Sequence, residues 1–435
     1  MEQTLSHTIA EPKPFDDQTL EYIRGQFAHL QRDALGNERI FFENSGGSLR
    51  LRPVSERALE VALYPESSVR PSKAARELDR VKERGLSDLL AFFGGDPEGA
   101  LLPTATASQA MFAVVRTVAE NVTGTNIVTT ALEHPSSYDA CARYARRTGQ
   151  EMRVAQPDRH TGGITPGAIA GLVDAGTSLV SVIATSNITG AITDIPAVVE
   201  AVRAKNPQAY VVTDTVQYAP HGVLDVRAWG VDAANIAPYK MFGDRGNAFT
   251  YLSPRLARLD HEQFAGTSAR TWAVGSAAPA VYAGFSAIMD YLASIGGTPA
   301  GSDRRTAITD GLRAIQQHEQ TLLRALLGGT DNQSGLMATP GVRVHFADQT
   351  VTARPRDLIV ALTFDDLECA EAVRAYEERG IVVYERVATS HYSERILRSL
   401  GLEGVVRVSP LHCHTLTEVD AFLAATRAIA ERAAG

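Results

Sequence analysis

Cysteine is scarce: Cys141, Cys369 and Cys413 are the only three in 435 residues, too few and too scattered for a disulfide framework. A reducing, cytoplasmic setting is the simpler expectation. No apolar run approaches the roughly 20 residues needed to cross a bilayer. The opening MEQTLSHTIAEPKPFDD has neither the basic start nor the apolar centre of a secretory signal, so neither export nor a membrane partner is expected. Internal repeats, low-complexity tracts and stripes of Lys and Arg are also missing. With a formal net charge of -8, that argues against nucleic acid as the main partner. What remains is an enzyme acting on a small molecule, in a chain longer than one ordinary core supports.

Through the first two thirds, short apolar runs alternate with amphipathic stretches. NIVTTA (126–131) precedes SSYDACARYARRT, EMRVA precedes TPGAIAGLV, SLVSVIAT precedes IPAVVEAVRAK, and AYVVTD covers 209–214. The alternation predicts an α/β unit whose mostly parallel sheet is covered on both faces by helices. A turn-rich break, GGTPAGSD at 296–303, follows. Beyond it come a long helix, TAITDGLRAIQQHEQTLLRALLG, strands at DLIVALTF, GIVVYERV and GVVRVSP, and helices at LECAEAVRAYEERG and TEVDAFLAATRAIAER, which read as a smaller α+β unit. We therefore expect an N-terminal helical segment over 1–38 packing on either unit, a large unit over 39–298 and a small C-terminal unit over 299–435. RIFFEN reads as the first strand.

Ligands of open α/β sheets sit at the carboxyl ends of the strands, so the polar residues that follow each apolar run are the ones to collect. They are Thr104 and Thr106, His134, Ser186 and Asn187, Asp214 and Gln217, and Lys240. Burial at a strand end disfavours the charged form of Asp214 unless a cation is supplied. Capping the next turn is one use for it, and pairing with a protonated ring nitrogen is another. Lys240 is either a surface amine or a Schiff-base amine with a depressed pKa. The pair narrows the choice. An Asp at one strand end and a Lys 26 positions later at the next can hold pyridoxal phosphate from both sides.

RIFFENSGGS, LPTATASQAM, ALEHPSS, ATSNITGAITDI, TDTVQYAPH and YKMFGDRG occur in an order and spacing that, over residues 39 to about 290, resembles the class V aminotransferases. These are the fold-type I pyridoxal-phosphate enzymes that include cysteine desulfurases and selenocysteine lyases. The resemblance implies that Lys240 anchors the cofactor aldehyde and later moves protons, and that Asp214 keeps the pyridine nitrogen protonated. It places His134 on the ring face, Gln217 on the phenolic oxygen, and Thr104, Ala105 and Thr106 at the phosphate. Asn187 and Tyr239 lie close to the ring, with Asn187 also near the substrate. FAGTSARTWAVGSAAP resembles the segment that crosses a homodimer, making Gly266 and Thr267 contacts to the neighbour's phosphate. GLEGVVRVSP resembles the segment whose arginine pairs with the substrate α-carboxylate, which implies that role for Arg407, and Arg386 matches a second substrate arginine of the family.

Two departures matter. Desulfurases carry a nucleophilic cysteine before the carboxylate arginine, whereas residues 386–401 read RVATSHYSERILRSLG with none. His391, Tyr392 and Ser393 occupy that loop. Ala237 and Tyr239 stand where the family often has Ser and His. The resulting expectation is a C–S lyase performing β-elimination on cysteine or a cysteine S-conjugate, with Lys240 taking the α-proton. Persulfide transfer, transamination and epimerisation of the isopenicillin N epimerase type are the alternatives. A non-catalytic cofactor-binding protein would be expected to have lost Lys240 or Asp214. His412 and His414 would share one face of a strand, but two histidines are short of a metal site, so no metal is expected.

Overall fold

The computed structural model describes residues 11–347 and 356–435; the first ten residues of the N-terminal segment lie outside the described residues. The larger sheet contains β1 (Ala100–Thr104), β2 (Asn126–Thr130), β3 (Glu151–Ala155), β4 (Thr177–Ile183), β5 (Tyr210–Asp214), β6 (Ala233–Ile236) and β7 (Ala248–Leu252). Their spatial order is β1-β7-β6-β5-β4-β2-β3. Pairing is parallel from β6 through β3, while β7 runs antiparallel to both β6 and β1. Because β7 is antiparallel to both of its neighbours, β1 runs parallel to β6 and ends on the same edge as the parallel strands. Every residue of β2 and β4 is buried, as expected of strands covered on both faces.

A second sheet contains β8 (Val342–His345), β9 (Val360–Phe364), β10 (Tyr384–Val387) and β11 (Gly404–Val408), in the order β8-β9-β11-β10, all antiparallel. The helix Arg304–Gly328 joins the two layers. Its Ile308, Leu312 and Ile315 enter the core of the larger sheet, and its Leu322, Leu323 and Leu326 enter the core that holds Phe42, Tyr376 and Phe422. The opening helix, Asp17–Gln26, packs on both layers. Ile23 sits in the larger core, and Arg24 pairs with Glu418 of the last helix at 2.8 Å.

Two local expectations shift. RIFFEN contributes only Ile40–Phe41 as strand, paired in parallel with Ile381–Val382. GIVVYERV is consequently two strands: Ile381–Val382 pairs there, and β10 joins the second sheet beyond buried Val383. No helix among the described residues is long and apolar enough to cross a membrane.

Candidate active site

A cavity of about 510 Å3 opens at the carboxyl edge of the larger sheet, where β2, β4, β5 and β6 release the chain. It brings together Ala105, Thr106, His134, Asn187, Asp214, Gln217, Tyr239 and Lys240 with Arg386 and Arg407 from the second sheet.

Lys240 closes a single 3-10 turn, Pro238–Lys240, just after β6. Phe242 then takes φ 68°, a left-handed conformation that costs a non-glycine residue roughly 1–2 kcal/mol. Its amide donates to Ser48 Oγ at 2.7 Å, and Leu51 N donates back to its carbonyl at 2.9 Å. Ser48 N also reaches the Tyr239 carbonyl at 3.0 Å. The same stretch is tied at its other end to Ser409, just past β11, where Ser409 N donates to Phe42 O at 2.7 Å and Ser45 N donates to Ser409 Oγ at 3.0 Å. The Lys240 amine donates to the Ser45 carbonyl, in the middle of this bridge. Burial, with Arg407, Arg386 and Arg245 nearby, lowers its pKa to about 7 against the pull of Glu43.

Asp214 ends β5 with 4% exposure. Val216 N donates to one oxygen at 3.1 Å and the Ser137 hydroxyl to the other at 3.3 Å. Burial nevertheless holds the carboxyl above its ordinary range. His134 caps the helix Pro135–Thr148, its Nδ1 accepting from Ser136 N at 3.2 Å, which leaves the proton on Nε2. Burial, then the charges of Lys240 and Arg386, lower its pKa to about 4, so it presents a neutral ring. Tyr392 stacks against it at 6.0 Å between centroids.

Gln217 Nε2 lies 3.5 Å from His221 Nε2, and His221 Nδ1 lies 2.8 Å from Glu319. Burial alone would lower the His221 pKa, but Glu319 outweighs it and raises it to about 9. Among the described residues Gln217 Oε1 and Asn187 Oδ1 are buried acceptors without partners, each leaving about 1–3 kcal/mol unrecovered. Arg407, 1% exposed, donates from Nη1 to the Asn187 carbonyl at 3.0 Å and from Nη2 to Glu43 at 2.6 Å.

This donor set fits pyridoxal phosphate. Asp214 needs a cation of the kind a ring N–H provides, Lys240 is a near-neutral amine, and Gln217 and Asn187 offer unsatisfied polar atoms. Thr106 caps the helix Ala107–Asn121, accepting from Gln109 N at 3.2 Å, which points that helix's free amides at the cavity as an anion site.

Other expected residues lie elsewhere. The Thr104 hydroxyl donates to the Thr106 carbonyl at 2.9 Å, and Thr104 does not line the cavity. Ser186 is buried outside it, accepting from Thr189 N at 3.2 Å. Gly266 and Thr267 are exposed in a loop, with Thr267 Oγ1 donating to Phe264 O at 2.7 Å. Ser393 donates to Val387 O at 2.8 Å, and His391 packs on Tyr392 at 3.9 Å. The expected strand carrying His412 and His414 stops at Val408; His412 instead meets the Tyr291 hydroxyl at 2.6 Å. Sequence reasoning missed Glu43, Ser137, Arg245 and Glu319. Glu43, Ser137 and Arg245 lay within motifs that attracted notice, RIFFENSGGS, ALEHPSS and YKMFGDRG; Glu319 did not.

A family model described as Aminotransferase class-V matches residues 40–422. Over 423 residues the chain is 25% identical to the aminotransferase-like protein FGM3 of Gibberella zeae, covering 94% of this chain and 97% of that protein. It is 27% identical to the probable cysteine desulfurase 2 of Mycobacterium leprae, covering 93% and 95%. Among solved structures, the cysteine desulfurase CsdA of Escherichia coli superposes with a TM-score of 0.77 at 20% identity, over 97% of this chain and 100% of that one. At that identity the structural likeness speaks for the fold alone.

Proposed function

Since the chain belongs to the class V aminotransferase family and is a pyridoxal-phosphate-dependent enzyme, we propose that it is a C–S lyase that performs β-elimination on cysteine or a cysteine S-conjugate. The position of its cysteines carries this reading. Cys141 and Cys413 are fully buried, Cys369 starts a helix of the smaller layer, and none lines the cavity. Burial pushes Cys141 up to about 12 and Cys369 up to about 11, and Cys413 well above its ordinary value. None is a thiolate placed to accept sulfur. A desulfurase-like frame with no sulfur acceptor releases its sulfur as a thiol.

Bound pyridoxal phosphate supplies an electron sink through its protonated ring. The protein's own groups do the rest. Arg407 receives the substrate α-carboxylate, and Asn187, whose carbonyl Arg407 already holds, fixes the guanidinium plane. Lys240, with a pKa near 7, takes the Cα proton. The Cβ–S bond breaks with its electron pair on sulfur, which leaves as the thiol after protonation. The remaining 2-aminoacrylate hydrolyses to pyruvate and ammonia. Neutral His134 covers the ring face without adding charge. In this reading the large unit, 39–298, holds the cofactor, and the small unit, 299–435, supplies both arginines. The enzyme acts as a cytoplasmic homodimer in which the exposed Gly266 and Thr267 of one copy reach the phosphate of the other.

The test is to incubate the holoenzyme with cysteine, cystine and S-alkyl cysteines while measuring pyruvate, thiol and alanine together. Stoichiometric pyruvate and thiol support elimination. Alanine with enzyme-bound sulfur would sink it, and a keto acid with conversion of the cofactor to its amine form would replace it by transamination.

A further inference from the structure

Arginine is more plentiful around the substrate side of the cavity than one α-carboxylate requires. Arg245, Arg386 and Arg407 all line it. Arg407 and Arg245 grip opposite ends of the turn at Gly46 and Gly47. A Cβ at Gly46 would come within 3.4 Å of Arg407 Nη2, and one at Gly47 within 2.6 Å of Arg245 Nη2. Arg245 also donates to the Gly46 carbonyl at 3.4 Å and lies 4.3 Å over the Tyr239 ring, exposed at the mouth. Arg386 is half-buried, and its Nε has no hydrogen-bond partner among the described residues.

One carboxylate, Glu43, sits among these cations, and Arg407 takes it. Asp244, adjacent to Arg245 in sequence, is occupied by Arg50 at 3.3 Å and the Ser55 hydroxyl at 3.0 Å. Among the described residues neither Arg245 nor Arg386 has an ion-pair partner. Three guanidiniums against one carboxylate leave two positive charges here. A monoanionic amino acid neutralises one. Asp214 does not serve the other, because its carboxylate bonds to Val216 and Ser137 at the end of β5.

We propose that the substrate carries a second anionic group on its side chain, a carboxylate or sulfonate, and that Arg245 is the residue that selects for it at the cavity mouth. This rests on the elimination reading for its chemistry but not for its binding. A guanidinium stacked on an aromatic ring keeps its outward donors free, so Arg245 is oriented before the ligand arrives. The substrate class becomes S-conjugates of cysteine whose sulfur substituent ends in an acid.

The experiment has a binding arm and a turnover arm, both on the holoenzyme at fixed ionic strength. Calorimetric titration compares succinate with butyrate. Succinate is expected to bind about tenfold more tightly, and Arg245→Gln is expected to abolish the difference between the two acids. Turnover then compares S-carboxymethylcysteine, S-methylcysteine and S-(2-aminoethyl)cysteine, with kcat/KM falling in that order in wild type and levelling in Arg245→Gln. Equal affinity for the two acids would overturn the proposal. So would Arg245→Gln weakening cofactor binding in the apoprotein while the acid preference persists, since Arg245 would then serve the phosphate. A succinate preference with no pyruvate from any substrate upholds the second anion and rejects the lyase reading.

Discussion

Glu43 Oε1 lies 2.6 Å from Arg407 Nη2, 364 positions away in the chain, so the guanidinium proposed to receive the substrate carboxylate already holds one. A substrate must share or displace that partner. Glu43→Gln is expected to bind monocarboxylates about tenfold more tightly, roughly 1.4 kcal/mol. In the unliganded protein it is expected to lose about 1–3 kcal/mol of stability, because a buried guanidinium keeps only a neutral partner. Calorimetry with butyrate and denaturation of the same variant check both; unchanged affinity would mean the pair is only structural.

Lys240 titrates at about 7 in the folded protein, against 10.5 ordinarily. Below pH 7 the amine is charged in both states, and the folded state bears the full cost of burying it. Between 7 and 10.5 the unfolded chain holds a proton that the folded one lacks, so stability rises with pH. Lys240→Met should therefore stabilise the cofactor-free protein by roughly 3–5 kcal/mol below pH 7. The gain should fade towards pH 10.5. Thermal melts across that range test it, and a pH-independent difference would contradict the sign. The same variant should lose the visible absorbance of the covalently held cofactor.

His221 has the opposite sign. With its folded pKa raised to about 9, it contributes stability that is complete below 6.5 and disappears as pH rises through 9. Glu319 and Asp357 face it as acids, with Lys240 opposing. Glu319→Gln should destabilise the protein most at pH 6 and least above pH 9. Gln217 leans on His221, so cofactor affinity should also fall, about three- to tenfold, measured by titrating the apoprotein. A destabilised variant with unaltered cofactor affinity would confine Glu319 to folding.

Most of the cavity lining proposed to hold the cofactor was legible because it is local: each polar residue follows an apolar run, and alternation marks the run. The parallel strands β2 to β5 and His134, Asn187, Asp214, Gln217 and Lys240 beyond the strand ends were readable in this way, whereas the antiparallel β7 was not. Glu43 and Glu319 were not, since their partners lie 364 and 98 positions away and nothing beside them in sequence signals a buried pair. Thr104 sat in the right motif, but its hydroxyl turns back to its own loop. The break at Val383 was hidden because both pieces of GIVVYERV have the same β-branched pattern, and only pairing with Ile40–Phe41 separates them.

Replacing Cys141, Cys369 and Cys413 together by Ala should leave the rate of pyruvate formation within about twofold. It should cost about 1 kcal/mol for each buried site, from lost packing. Loss of turnover in the folded variant would reinstate a sulfur-accepting cysteine.

The bridge from Phe42 to Leu51, tied at one end to Ser409 and at the other to Phe242, makes chain length a gauge for the distance between the amine and the guanidinium. Ser45 lies in the 3-10 turn Asn44–Gly46, so one inserted residue would move its carbonyl by about 2 Å, enough to break its bond to the amine. Insertion at 296–303 disturbs neither tie. Divergence near the site is thereby restricted to exchanges of side chain, and anyone transplanting this chemistry to another scaffold would have to carry that ten-residue interval across uncut.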